Sequence, residues 1–432
     1  MPHAFDQDDV ATRLAAYLDA SPSPFHAVES TASLLEGAGF TRVAEVDPTP
    51  TDPGHYLTLR GGSLIAWSTS ADLAPHAPFR IVGAHTDSPN LRVKPRPDVT
   101  RAGWQQVAVE VYGGPLLNSW LDRDLGLSGR VAVRSGAGFE GRLLLLDEPL
   151  LRVSQLAPHL DRSVNTDGLK LNPQQHLVPH WGQGDSPGDL ASFLAERLEV
   201  TAEDILGWDL MTHDLTPARR IGRDADLLAS ARLDNLATSF AATLAIASAV
   251  DSGVSGVVPV IALFDHEEVG STTERGAQST FLAATLERIV LARGGSREDY
   301  LRALAGTVIA SGDMAHTTNP NYSERHEPGH HITMNGGPVL KINAQARYAT
   351  DALGAAAFRL ACEQASVPVQ TFVTRTDLPC GSTVGPVTSA LTGATTVDFG
   401  APTLSMHSTR EACGVADQAM YAGALEAFLS PT

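Results

Sequence analysis

The chain has 432 residues, enough for one large or two ordinary domains with full cores. Its 49 acidic side chains outnumber 31 basic ones, a formal net charge of −18, which argues against nucleic acid or an anionic membrane as a partner. Cys362, Cys380 and Cys413 make no disulfide framework, Met1 to Asp9 lacks the features of a signal peptide, and the longest apolar segment, Phe240 to Val250, is too short to span a bilayer, so a cytoplasmic location is expected.

Asp9 to Ala20 reads as an amphipathic helix with Val10, Leu14, Tyr17 and Leu18 on one face. Ser21-Pro22-Ser23-Pro24 breaks it, and Ser23 is placed to cap a second helix running to about Gly37. Two short strands near Tyr56–Leu59 and Leu64–Trp67 flank a Gly61-Gly62 turn, and a buried-type strand over 80–85 ends in His85. From about Val93 to Arg223 the character changes to strands separated by glycine-rich turns, with one helix over 187–198. After Arg223 strands and helices alternate again: helices over 235–250, 278–292 and 351–366, strands over 257–263, 307–311, 338–343, 370–374 and 395–398. The pattern predicts an α/β fold, a mostly parallel central sheet covered by helices on both faces. Residues 1–92 and 224–432 would form it, with 93–223 as an inserted β-rich domain.

The most informative stretch is Phe264-Asp265-His266-Glu267-Glu268-Val269-Gly270-Ser271. Two adjacent glutamates where a buried strand ends are awkward to explain as packing. One carboxylate suits a metal and its neighbour is free to take a proton from water. Ligands gather at the carboxyl ends of strands in open α/β sheets, and other such ends carry matching side chains: His85, Asp234, Asp313 and His407. Asp87, two residues after His85, is suited to fixing the far imidazole nitrogen. Singly each has a plainer explanation, Asp234 as a helix cap, Asp313 as a turn residue and His407 as a core histidine. Together they suit two zinc-type ions sharing a carboxylate, roughly 3.5–4 Å apart, and cobalt or manganese would accept the same ligands. His326-Glu327-Pro328-Gly329-His330 matches the H-E-x-x-H pattern of helical zinc peptidases, but Pro-Gly inside it forbids the helix that pattern needs.

Six ordered motifs run nearly the length of the chain. They are His85-Thr86-Asp87-Ser88-Pro89-Asn90-Leu91-Arg92-Val93-Lys94-Pro95, Trp120-Leu121-Asp122-Arg123-Asp124-Leu125, Ala231-Arg232-Leu233-Asp234-Asn235, His266 to Ser271, Ser311-Gly312-Asp313-Met314-Ala315-His316, and Met406-His407-Ser408. In these the chain resembles the aspartyl aminopeptidases, dinuclear zinc exopeptidases. The resemblance implies that Asp234 bridges two ions, with His85 and Asp313 on one, Glu268 and His407 on the other, and Glu267 as general base and then acid. It also implies that Lys341 receives an acidic substrate side chain with Tyr348 nearby, and that His159 reaches into a neighbouring subunit's site. The inserted domain would be a dimerisation domain, with dimers assembling into dodecamers. The expectation is a metalloaminopeptidase that removes N-terminal Asp or Glu from peptides. A carboxypeptidase or deacylase on the same two-metal fold, or a catalytically silent oligomeric scaffold, are the competing readings.

Overall fold

Successive residues of a strand point to opposite faces, and in this chain that alternation builds two separate cores. Along the Val258–Phe264 strand, Val260, Ala262 and Phe264 enter one hydrophobic cluster, while Ile261 and Leu263 enter another; Ile81 and Val82 divide the same way. The structure, a computed structural model, describes residues 5–432. Met1 to Ala4, part of the stretch read as lacking a leader, lie outside it.

The chain divides into two units. The first holds everything described up to Asp87, Ala218–Met406 and Glu411–Thr432. Its nine-stranded sheet runs, edge to edge, Thr41–Arg42, Gly54–Arg60, Ser63–Thr69, Val258–Phe264, Phe79–His85, Val308–Gly312, Thr395–Gly400, Val339–Ile342, Gln370–Val373. The four central strands, from Val258–Phe264 to Thr395–Gly400, are mutually parallel, while Ser63–Thr69 and the pairing of Val339–Ile342 with Thr395–Gly400 are antiparallel. The helices Gln7–Ala20, Pro24–Gly37, Leu233–Ser252, Ala352–Ala365 and Val415–Leu429 pack in one core, and Phe281–Ala292 and Arg297–Ala305 in the other. This is the α/β architecture the alternation predicts. Ser23 caps the second helix as expected, accepting from the His26 N–H.

Three helices of the first unit escape the periodicity reading. Val415–Leu429 is buried almost all round, so it has no polar face to generate a period. Val384–Thr392 is short and holds Gly385 and Pro386, and Arg297–Ala305 is announced only by the Ser296–Asp299 capping box. The Leu233–Ser252 helix corrects the membrane argument. At 20 residues it extends well before Phe240 and is long and apolar enough to cross a bilayer, yet Leu236, Phe240 and Ile246 lie at most 1 % exposed in the protein core. A small five-stranded sheet of Arg219–Ile221, Leu227–Ser230, Glu411–Gly414, Pro402–Leu404 and Ala315–His316, too short-stranded to read from sequence, completes the unit.

The second unit comprises Ser88–Pro217 with His407–Arg410. Its six strands, in the order Gly138–Leu151, Leu125–Ser135, Ile205–Asp214, Asn90–Arg101, Trp104–Tyr112, His180–Gln183, are antiparallel throughout. They enclose their own core around Leu91, Leu127, Val131 and Leu210. The boundaries fall a few residues before those read from composition. Val93 lies inside the Asn90–Arg101 strand, and Arg219–Ile221 already pairs with Leu227–Ser230 in the first unit.

Candidate active site

The parallel core of the first unit delivers its acidic residues at the carboxyl ends of three adjacent strands. His85 ends the Phe79–His85 strand, Glu267 and Glu268 open a one-turn 3-10 helix after Val258–Phe264, and Asp313 follows Val308–Gly312. Asp234 comes from the other side. It sits just before the regular part of the Leu233–Ser252 helix, with a non-helical ψ of 105°. Its N–H donates to Glu411 Oε2 at 2.9 Å, and the next residue, Asn235, donates through Nδ2 to the Gly312 carbonyl at 2.7 Å. Gly312 must be glycine, since a Cβ there would lie 2.5 Å from Thr238 Cγ2 and 2.9 Å from the Tyr421 hydroxyl. That close approach brings Asp234 beside Asp313.

His85 Nε2 lies 3.3 Å from Asp234 Oδ1 and 3.9 Å from Asp313 Oδ1. These three residues each offer a ligand atom within 4.8 Å of the others, as do His85, Glu267 and Glu268. Burial alone would lower the His85 pKa, but hydrogen bonding to Asp234, Asp313 and Asp87 outweighs it and holds the imidazole well above its ordinary value. Glu267 is the converse. Burial pushes it up to about 8; His85 pulls against that shift, while Asp313, Asp87 and Asp234 add to it. Buried carboxylates gathered this tightly, with one imidazole among them, form the mixed nitrogen and oxygen donor set that suits zinc.

Asp87 lies beside the far imidazole nitrogen of His85 and has a second set of partners as well. The partner of His85 Nδ1 is the Asp87 backbone carbonyl at 3.0 Å, with the carboxylate at 3.4 Å. The carboxylate also accepts both the Glu267 and Glu268 N–H groups, each at 3.1 Å. One residue thus fixes the imidazole and the turn carrying both glutamates. The Thr86 N–H to Phe264 carbonyl bond, 2.8 Å, extends the strand pairing up to it.

Lys341 is 3 % exposed on the Val339–Ile342 strand, which lies between two others rather than at an edge. Its Nζ is 3.7 Å from Asp313 Oδ2 and 5.2 Å from the Tyr348 ring centroid. Tyr348 is buried, which raises its pKa. His159 lies exposed in the second unit, after the Gly138–Leu151 strand. His407 also groups with that unit, its Nδ1 2.9 Å from the Gly114 carbonyl. The His326–His330 stretch is not helical, and His326 Nε2 accepts from the Asn319 N–H.

Three contributors were passed over in the sequence. Glu411 anchors Asp234, and Asp398 lies opposite Lys341 in the strand pairing. His316, three residues after Asp313, has its ring 6.1 Å from Phe372 in an edge-on arrangement.

Residues 17–429 match the family model described as aminopeptidase I zinc metalloprotease (M18). The chain belongs to the M18 family. A relative from Streptomyces coelicolor named a probable M18 family aminopeptidase 2 is 54 % identical over 436 residues, covering 100 % of this chain and 99 % of that one. A chain in a cryo-EM structure of the Ape4 and Nbr1 complex is 35 % identical, with TM-score 0.93, covering 98 % of this chain and 86 % of its own. The mApe1 dodecamer of S. cerevesiae is 26 % identical, with TM-score 0.84, covering 98 % and 96 %. This M18 protein is a zinc-dependent aminopeptidase, and the cluster above holds the residue types such chemistry needs.

Proposed function

We propose that this M18 enzyme removes acidic N-terminal residues from peptides at a two-metal centre. Asp234 would be shared between the ions, His85 and Asp313 serving one, Glu268 and His407 the other; His407 enters from the resemblance and its residue type. A zinc pair, or cobalt or manganese in its place, supplies Lewis acidity that polarises the scissile carbonyl and makes water nucleophilic near neutral pH. Glu267 takes the proton of the attacking water at its carboxylate and hands it to the departing amine. Asp87 holds the Glu267 and Glu268 backbone in place. Tyr348 walls the substrate's first side chain. His159 would act across a subunit boundary in a homo-oligomer assembled from dimers into dodecamers, in the cytoplasm.

The observation that carries the specificity is Lys341, a buried ammonium 3.7 Å from Asp313. A buried cation beside the reacting centre favours an acidic side chain and leaves a neutral one without a partner. Replacing Lys341 with Ala should reduce kcat/KM for an aspartyl chromogenic substrate by about thirtyfold or more, because a buried charge pair is lost. An alanyl substrate should change far less. Equal losses on the two would remove the specificity.

A further inference from the structure

Asp398 is fully buried on the Thr395–Gly400 strand, directly opposite Lys341 in the antiparallel pairing, so the two side chains share a face of the sheet. Its carboxylate belongs to none of the metal-ligand groups. It joins two segments distant in sequence. Oδ2 accepts the Ala349 N–H at 2.5 Å, one residue after Tyr348, and Oδ1 accepts the Thr383 hydroxyl at 2.5 Å, in the turn that follows Cys380. Thr383 in turn caps the Val384–Thr392 helix, its Oγ1 accepting the Gly385 N–H. The backbone beside Asp398 is tied as well, its N–H donating to Thr350 Oγ1 at 2.8 Å.

The fit around this carboxylate is close. A Cβ on Gly385 would stand 2.4 Å from Asp398 Oδ2, so the helix start is pressed against the carboxylate. Burial raises the Asp398 pKa, while Thr383, Ala349 and Lys341 all oppose that shift. A buried carboxylate that accepts two short hydrogen bonds from separate segments restrains both of them.

We propose that Asp398 is a positioning residue for substrate selection: it holds the Tyr348–Thr350 segment and the Thr383 turn in register with Lys341, so that the pocket is shaped for an acidic side chain. The inference rests on Lys341 receiving that side chain. Asp398 itself touches neither the substrate nor the reacting atoms.

The test is steady-state kinetics of the metal-loaded, full-length enzyme with aspartyl and alanyl chromogenic substrates. Asp398→Ala should raise KM for the aspartyl substrate about tenfold, as for one to two buried hydrogen bonds, with kcat and the alanyl kcat/KM within about threefold. Asp398→Asn should recover most of the loss, because its carboxamide can accept from Ala349 and donate to Thr383 Oγ1. Should Asp398→Ala not fold, Thr383→Val carries the test, with an expected rise in aspartyl KM of about threefold. Equal losses on both substrates, or an Asn variant no better than Ala, would overturn the assignment. Lys341→Ala in parallel separates the two ideas. If it abolishes acidic selectivity while the Asp398 and Thr383 variants leave it intact, only the role of Asp398 fails; if it leaves selectivity unchanged, the acidic pocket fails and this inference with it.

Discussion

Two regions of the first unit bury carboxylates in opposite ways. At the strand ends, Asp234, Asp313 and Glu267 crowd around one imidazole, and burial with mutual repulsion lifts Glu267 to about 8. At the Asp398 and Asp417 sites the carboxylate has no acidic ligand group crowding it and accepts hydrogen bonds, from Thr383 and Ala349 in one case and from the Asn335 and Gly337 N–H groups in the other. The second arrangement gives a buried carboxylate the partners that offset part of its desolvation cost. The first opposes folding unless a cation joins it. A buried acid in the sequence therefore does not announce its role; its neighbours do.

The contrast can be broken most severely at Glu267. Glu267→Gln should cut turnover roughly 10²–10⁴-fold while metal content, read by elemental analysis, stays at the unmodified level. Near-normal turnover would mean that another group moves the proton.

Asp417 sharpens the comparison from the scaffold side. Burial raises it from 3.8 to about 7, with the Asn335 and Gly337 N–H groups pulling the other way. A raised folded pKa means the protonated form favours folding. The contribution is full below about pH 4 and is lost as pH rises through about 7. Asp417→Asn should flatten that slope, so that the variant gains a few kcal/mol on the unmodified protein across the window. Urea unfolding at several pH values reads it, and parallel slopes would show that Asp417 is not what titrates.

The smallest expected effect is at Gly385. Gly385→Ala would drive a methyl group toward Asp398 and should cost about 1–3 kcal/mol of stability, seen as a lowered Tm. No change in Tm would mean that the helix start has room the structure denies it.

Much of this was legible in the chain. The apolar, β-branched runs over 257–263 and 307–311 gave their strands away, and metal-capable residues at the ends of such runs could be gathered into one site before any coordinates. What stayed hidden had physical causes. The Val415–Leu429 helix is buried on nearly every side, so no amphipathic period marks it. The close packing that brings Asp234 to Asp313 turns on Gly312 and Asn235, whose importance appears only when the helix and strand meet. Asp87 reads as a histidine partner by spacing, but nothing in the sequence marks its bonds to the Glu267 and Glu268 N–H groups, in a turn 180 residues away. Asp398 is one acid inside a strand, and nothing local separates it from a packing accident.

In the proposed centre, side chains from distant parts of the chain together hold two cations. Counting metal ions per chain by native mass spectrometry, for the unmodified enzyme and for Asp234→Ala, tests it most directly. Two ions in the first and fewer than one in the second are expected, since Asp234 is assigned to both. Two ions retained after Asp234 is removed would contradict the shared-carboxylate centre.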